Sequence, residues 1–246
     1  MTEKKRFHII DTVRGFLLLH MIVYHALWDM VYIFGADIPW FGGTASNIWE
    51  KIGCSCFILV SGISWRISAN TINKLKGGTV TLACGAVIMM ATALVPAGGS
   101  VMFGILTFLG SCMLIMIPLH KLLKNCRCSV GAAVSLLLFA LFWGTGEKNM
   151  AFGTVHLPEV LYRGGIMTFL GFPGSDFYSD DYFPLIPWIF MYLCGYFLSP
   201  AVVEACRKRP GKRVEPLTFM GRRSLVVYML HQPIVYGLLM LVYGKR

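Results

Sequence analysis

Charge is what this chain has least of. Of its 246 residues, only 14% are Asp, Glu, Lys or Arg, where soluble domains carry about 25%. A water-facing surface cannot be covered with so few charges, which excludes soluble enzymes and disordered regulators. Acids are the scarcer sign: 12 Asp and Glu stand against 22 Lys and Arg, for a formal charge of +10. There is no internal repeat and no low-complexity stretch. Nor do the eight cysteines form a disulfide framework. Cys54, Cys56, Cys84, Cys112 and Cys194 fall in apolar runs, and Cys126, Cys128 and Cys206 in basic ones. A zinc site needs about four converging ligands, and the two Cys-x-Cys pairs lie at different depths. Reduced thiols in apolar packing are expected, and no metal.

What the chain has in excess is apolar length. Hydrophobic residues make up 56% of it, and mean hydropathy is +0.65. The expected fold class is all-α, a polytopic membrane helix bundle of about seven transmembrane helices in one domain covering residues 1–246. Runs of about 17–25 apolar residues can cross a bilayer, and seven are read at about 14–35, 48–67, 79–97, 101–120, 129–145, 183–204 and 221–243. The segment 146–182 differs, with Glu147, His156, Glu159, Asp176, Asp180 and Asp181. Its apolar piece, Val160–Phe172, is too short to span and reads as an interfacial or re-entrant element.

The positive-inside rule gives the orientation. With the N-terminus inside, 17 of the 22 cations lie on the cytoplasmic side, from Lys4, Lys5, Arg6 and Arg14 through to Arg222 and Arg223. The outside keeps five: Lys51, Lys148, Arg163, Lys245 and Arg246. The expected topology is therefore N-in and C-out in the inner (cytoplasmic) membrane, with the acidic 146–182 loop outside. Topology accounts for most of the positive charge, so no nucleic-acid partner is expected. The first span has a basic start, but no small-residue cleavage site follows it, so it is read as retained.

Ionisable groups inside a bilayer are costly and point to function. The first span holds Asp11, Arg14, His20, His25 and Asp29 in or beside it. At about 100° per residue, Asp11, Arg14, His25 and Asp29 share one face and His20 points away. Arg14 and His25 lie about 16 Å apart along the axis, so Arg14 sits near the inner surface and His25 deep. Asp29, one turn beyond His25, can orient the imidazole and raise its basicity for general-base work. The bland alternative is a buried His–Asp bond that staples helices.

The last span carries Ser224, Tyr228 and His231 on one face, then Gln232 and Pro233, which shape a cavity wall or bond neighbouring helices. Ser61-Gly62 supplies close packing or an anion contact. Asp180-Asp181-Tyr182-Phe183-Pro184-Leu185-Ile186-Pro187-Trp188 reads as a cavity rim or as ordinary interfacial aromatic chemistry.

Five motifs in chain order resemble one family: Asp11-Thr12-Val13-Arg14-Gly15 with His25 and Asp29; Phe57 with Ser61-Gly62; Phe103-Gly104-Ile105-Leu106 with Gly110; Phe183-Pro184 with Pro187-Trp188; and Gly221, Ser224, Tyr228, His231, Gln232 and Pro233. The chain resembles the heparan-alpha-glucosaminide N-acetyltransferase catalytic-domain family of the transmembrane acyltransferase superfamily. Two positions depart from it. Thr107 stands where many bacterial members have a His after Gly-Ile-Leu, and Asp37-Ile38-Pro39-Trp40 lacks the His of the lysosomal branch.

The resemblance implies transfer of an acetyl or other acyl group from cytoplasmic acyl-CoA to a hydroxyl or amine, sugar-borne, across the membrane. It implies acetyl-CoA contacts at Asp11, Arg14, Ser61, Ser224, Tyr228, His231 and Gln232. His25 with Asp29 would be catalytic, and Asp37, Trp40, Asp181 and Trp188 would meet the acceptor. The expected partners are the lipid bilayer, acyl-CoA and that acceptor, and a homodimer is compatible with them. A proton-coupled transporter or flippase would also use buried His and Asp, but the chain shows none of the inverted repeats common in transporters. A structural or sensory subunit would use the same residues as helix glue.

Overall fold

The computed structural model describes residues 7–68, 70–94 and 100–244. The cations Lys4, Lys5, Arg6, Lys245 and Arg246, and the end of the third expected span, lie outside the described residues. Among the described residues, nine α-helices follow in order: α1 (His8–Trp28), α2 (Thr44–Ile67), α3 (Thr71–Ala93), α4 (Ile105–Leu123), α5 (Cys128–Leu141), α6 (Gly165–Leu170), α7 (Leu185–Lys208), α8 (Glu215–Arg222) and α9 (Ser224–Tyr243). A π-helical turn, Asp29–Ile33, extends α1. Among the described residues, strand appears only as the hairpin of β1 (Asn149–Met150) and β2 (Val155–His156).

Among the described residues, six helical segments are long and apolar enough to cross a membrane: His8–Ile33, Thr71–Ala93, Ile105–Leu123, Cys128–Glu147, Leu185–Lys208 and Ser224–Tyr243. The expected seventh, α2, has 24 residues but carries Glu50, Lys51 and Arg66, which shorten its apolar stretch. Large apolar side chains face outward on these helices, for example Phe16, Leu122, Leu238 and Leu241. An outward apolar surface of this kind is suited to lipid.

The chain divides into two compact units, residues 1–60 with 201–246, and residues 61–200. In the first unit, α1 lies against α8 and α9. The α1–α8 contact depends on two glycines. A Cβ on Gly15 would overlap the Leu217 backbone, and one on Gly221 would overlap the carbonyl of Asp11. Helix backbones approach this closely only where small residues allow it. Thr12 and Thr218 share a 2.8 Å hydroxyl hydrogen bond across the same contact. Beyond it, His25 meets His231, Asp29 meets Gln232 and Phe34 meets Tyr236. Pairs that advance together mean that α1 and α9 run parallel. Parallel first and last crossings require an odd number of spans, which is met if α2 crosses with the other six, despite its charges.

In the second unit, α3 packs along α4. Gly85 lies on the backbone of Thr107, and Gly110 on that of Leu82. The 179–183 segment is tied to the start of α4. Ser179 Oγ accepts from Met102 N and donates to Met102 O, both at 2.9 Å. Phe183 N donates to Phe103 O at 3.0 Å, and Asp181 Oδ2 accepts from Ile105 N at 3.1 Å. The Val160–Phe172 piece forms a 3₁₀ turn, Glu159–Leu161, and the short α6, with Val160 and Ile166 exposed.

Gly221→Val is expected to lower stability by about 3 kcal/mol, because the added branches meet backbone that cannot yield. Gly237→Ala, where a Cβ meets open space, should stay within about 1 kcal/mol of the parent. Thermal unfolding of both purified variants in detergent checks this.

Candidate functional site

The first unit gathers most of the polar residues singled out in the sequence. Asp11 is buried at the first turn of α1. Its Oδ1 lies 3.5 Å from Arg14 Nη1 and its Oδ2 3.6 Å from Arg222 Nε. Arg14 Nη1 also donates to Gly221 O at 3.2 Å. Arg222 Nη2 lies 2.8 Å from His8 Nδ1. Because guanidinium only donates, that ring nitrogen is the acceptor and the His8 proton sits on Nε2. One carboxylate thus faces two arginines, leaving net positive charge on this end of α1 and α8.

Further along, α1 and α9 bring two imidazoles together. The His25 and His231 ring centroids are 5.0 Å apart. His231 Nδ1 lies 2.5 Å from the carbonyl of Tyr228. A carbonyl only accepts, so Nδ1 carries the proton and Nε2 of the neutral ring holds a lone pair. The Tyr228 ring stands against His231 at 5.2 Å. Asp29 is fully buried at the start of the π turn, a feature frequent at functional sites. Its Oδ1 accepts from Gln232 Nε2 at 2.7 Å.

The sequence reading expects Asp29 to orient His25. The observed partner of Asp29 is instead Gln232, because α9 packs on this face and presents an amide donor.

Three buried atoms here have no hydrogen-bond partner among the described residues: Asp29 Oδ2, Gln232 Oε1 and His231 Nε2. Buried polar atoms in native proteins are nearly always satisfied. Two acceptor oxygens and a basic nitrogen at one α1–α9 contact suit a ligand that brings N–H or O–H donors.

The other expected residues are distributed more widely. Ser224 opens α9. Asp37 and Trp40 are exposed after the π turn, and Trp40 lies against Phe41 and Trp49. Ser61, Asp181 and Trp188 belong to the second unit. Asp181 caps α4. Trp188 is buried among Phe139, Trp143 and Phe183, which gives it a packing role rather than an open rim position. His20 points away from the other polar groups of α1, to Trp49 and Gly53 of α2.

Sequence reasoning missed three features. Arg222 is the second arginine on Asp11. The π turn places Asp29. Tyr24 Oη donates to Glu50 Oε2 at 3.2 Å beside His25. The signal for the last was present, since Glu50 is an acid inside an apolar run.

Comparison with known proteins agrees with this constellation. The sequence pattern described as "Heparan-alpha-glucosaminide N-acetyltransferase, catalytic" matches residues 6–233, from two residues before α1 to the residue after Gln232. No curated protein and no solved structure matches the chain. With a match over most of its length, a multi-helix membrane architecture and both ends of the α1–α9 polar contact inside the matched range, the chain belongs to the heparan-alpha-glucosaminide N-acetyltransferase catalytic-domain family.

Proposed function

We propose that the chain is a membrane acyltransferase that moves an acetyl or other acyl group from cytoplasmic acyl-CoA to a hydroxyl or amine, sugar-borne, on the opposite side. The observation that carries this reading is the His25–His231 pair beside Asp29 and Gln232, with His231 Nε2 basic and unpartnered among the described residues. Family membership supplies the reaction type.

In this reading the imidazole pair accepts the acceptor's proton as the acceptor heteroatom bonds the acyl carbon. The thioester carbon–sulfur bond breaks, and the thiolate leaves to be protonated. Asp29, held by Gln232, offsets the positive charge that develops on the imidazoles. Arg14 and Arg222 favour the phosphates of the donor, and the stripe of about 16 Å from Arg14 to His25 matches an extended pantetheine arm in order of size. Tyr228 holds the His231 tautomer through its carbonyl. Exposed Asp37 and Trp40 contribute to acceptor contact.

Acetyl-CoA is expected to raise the melting temperature of the purified chain in detergent, since a ligand that binds only the folded state stabilises it. Arg14→Ala should lose that shift. His25→Ala and His231→Ala should keep it, while incorporation of labelled acetyl into membranes from expressing cells falls by about 10²–10⁴-fold. Undiminished incorporation in both histidine variants would overturn the assignment. So would the absence of any shift in the parent protein.

Gln232→Leu removes the donor to buried Asp29 and should cost about 1–3 kcal/mol. The cost should largely vanish when Asp29→Leu, which has no acceptor to leave unpaired, is already present, as a double-mutant cycle on thermal unfolding would measure.

A further inference from the structure

A cavity of about 420 Å³ lies wholly within the 146–182 loop of the second unit, a volume usual for small-molecule sites. None of the residues given a part in acyl transfer lines it. One wall is the turn Gly146-Glu147-Lys148, and the other is formed by residues between Pro173 and Tyr182. Hydrogen bonds to residues outside the cavity hold both walls. Tyr162 Oη donates to Thr145 O at 2.5 Å, just before the turn. Leu157 N donates to Lys148 O at 2.8 Å, and Asp180 N donates to Ser100 O at 3.0 Å.

Three rings line the space, Phe177, Tyr178 and Tyr182, with the first and last 4.9 Å apart between centroids. Four side-chain hydroxyls line it too, and each already gives its proton to the protein. Ser175 donates to Asp176 Oδ1 at 3.3 Å, and Ser179 to Met102 O at 2.9 Å. Tyr182 donates to Thr168 O at 2.5 Å, and Tyr178 to Asp180 Oδ1. A hydroxyl that donates still keeps lone pairs. The Glu147 carboxylate makes no hydrogen bond or ion pair among the described residues. Lys148 also lines the cavity, but its ammonium is engaged elsewhere. It pairs with Glu159 at 3.2 Å and stands 5.6 Å from the centre of the Tyr162 ring, and neither of these residues lines the cavity. The side chains therefore present acceptors and ring faces, with few free protons. The charge of the loop has the same sense. Residues 146–182 carry five acids against two cations, a formal charge of −3 in a chain whose total is +10. No Asp or Glu occurs in residues 51–146 or 182–203, so every acid of the second unit lies in this loop. Lys121 and Lys124 stand at the far end of α4, whose start Asp181 caps. A fitting ligand brings positive charge and its own donors. Ring faces attract cations, and a carboxylate takes a charge-assisted bond from N–H. An anion would meet Glu147 instead, and a neutral polyol would bring acceptors that find few donors here.

We propose that this cavity binds an organic cation bearing N–H donors, an ammonium or guanidinium group. Glu147 is its charge partner, the Tyr178 ring stands against it, and the tyrosine and serine oxygens accept its remaining protons. The cation can be a free small amine or an amine carried by the acceptor of the transfer reaction. Only the second source rests on the acyl-transfer reading, and the binding site itself does not.

The test is isothermal titration calorimetry on the full chain in neutral detergent, without acyl-CoA and with protein-free micelles as the blank. Three probes share one apolar body: benzylamine, benzyltrimethylammonium, which keeps the charge but has no donor, and uncharged benzyl alcohol. Benzylamine should bind most tightly, benzyltrimethylammonium several-fold more weakly, and benzyl alcohol without measurable heat. Glu147→Gln should weaken benzylamine about tenfold, as loss of one charged hydrogen bond predicts. Tyr178→Leu should weaken it about two- to fivefold. Both residues are exposed, so both variants should fold. Glu204→Gln, exposed in the other unit, should leave the affinity unchanged. No binding of benzylamine to the parent overturns the proposal. So does equal binding of either control probe, an unchanged affinity in Glu147→Gln or in Tyr178→Leu, or an equal loss in Glu204→Gln. Incorporation of labelled acetyl then separates the sources. A several-fold fall in Glu147→Gln supports an amine on the acceptor, and unchanged incorporation supports a free amine. If the parent incorporates no acetyl, the acyl-transfer reading fails and calorimetry alone decides the cation site.

Discussion

The backbones of α1 and α8 touch at Gly15 and Gly221, and the polar arrangement of the first unit follows from that approach. With no side chains between the helices, Asp11 comes within reach of Arg14 and Arg222 together. Because α9 begins directly after α8, fixing α8 also fixes where α9 starts. His25 and His231 each stand ten residues beyond their glycine, and they meet as rings. A bulkier residue at either glycine would move the imidazoles apart without touching them. The packing of two small residues and the placement of two basic nitrogens are therefore one constraint.

Much of this was legible in the sequence. The long apolar runs place most helix ends within about four residues, because a bilayer fixes span length and few charges interrupt them, although α1 begins at His8 and α3 at Thr71, ahead of the expected 14 and 79. Helical periodicity put Asp11, Arg14, His25 and Asp29 on one face and His20 on another, and in the structure the first four meet α8 or α9 while His20 meets α2. Other features could not be read. Asp29 was paired in sequence with its neighbour one turn away, but a side chain bonds to whatever packs on its face, here Gln232 from 203 residues further on. Trp188 looked like an interfacial aromatic, yet three surrounding rings bury it. Periodicity also assumes a regular helix, so it gave no sign of the π turn.

The two units treat charge differently. In the first, the Asp11 carboxylate stands between Arg14 and Arg222, and the Asp29 carboxylate accepts from the Gln232 amide. In the second, the cations stand over aromatic rings while the acids cap or face outward at the other end of α4. Trp65 and Tyr196 present ring faces to Lys74 and Arg66, where Asp11 presents a carboxylate to Arg14.

The π turn at Asp29–Ile33 has a consequence for reading related chains. Such a turn is an α-helix that has taken in one extra residue without breaking. Every side chain after Asp29 is therefore rotated by one helical step relative to a regular continuation of α1. A relative with a plain α-helix here could keep the imidazole and carboxylate in place yet be one residue shorter before the Asp37–Trp40 loop. An alignment that forbids gaps inside a membrane helix would then pair Tyr32, Phe34 and the whole loop with the wrong partners. The gap belongs inside the bilayer, one turn past His25.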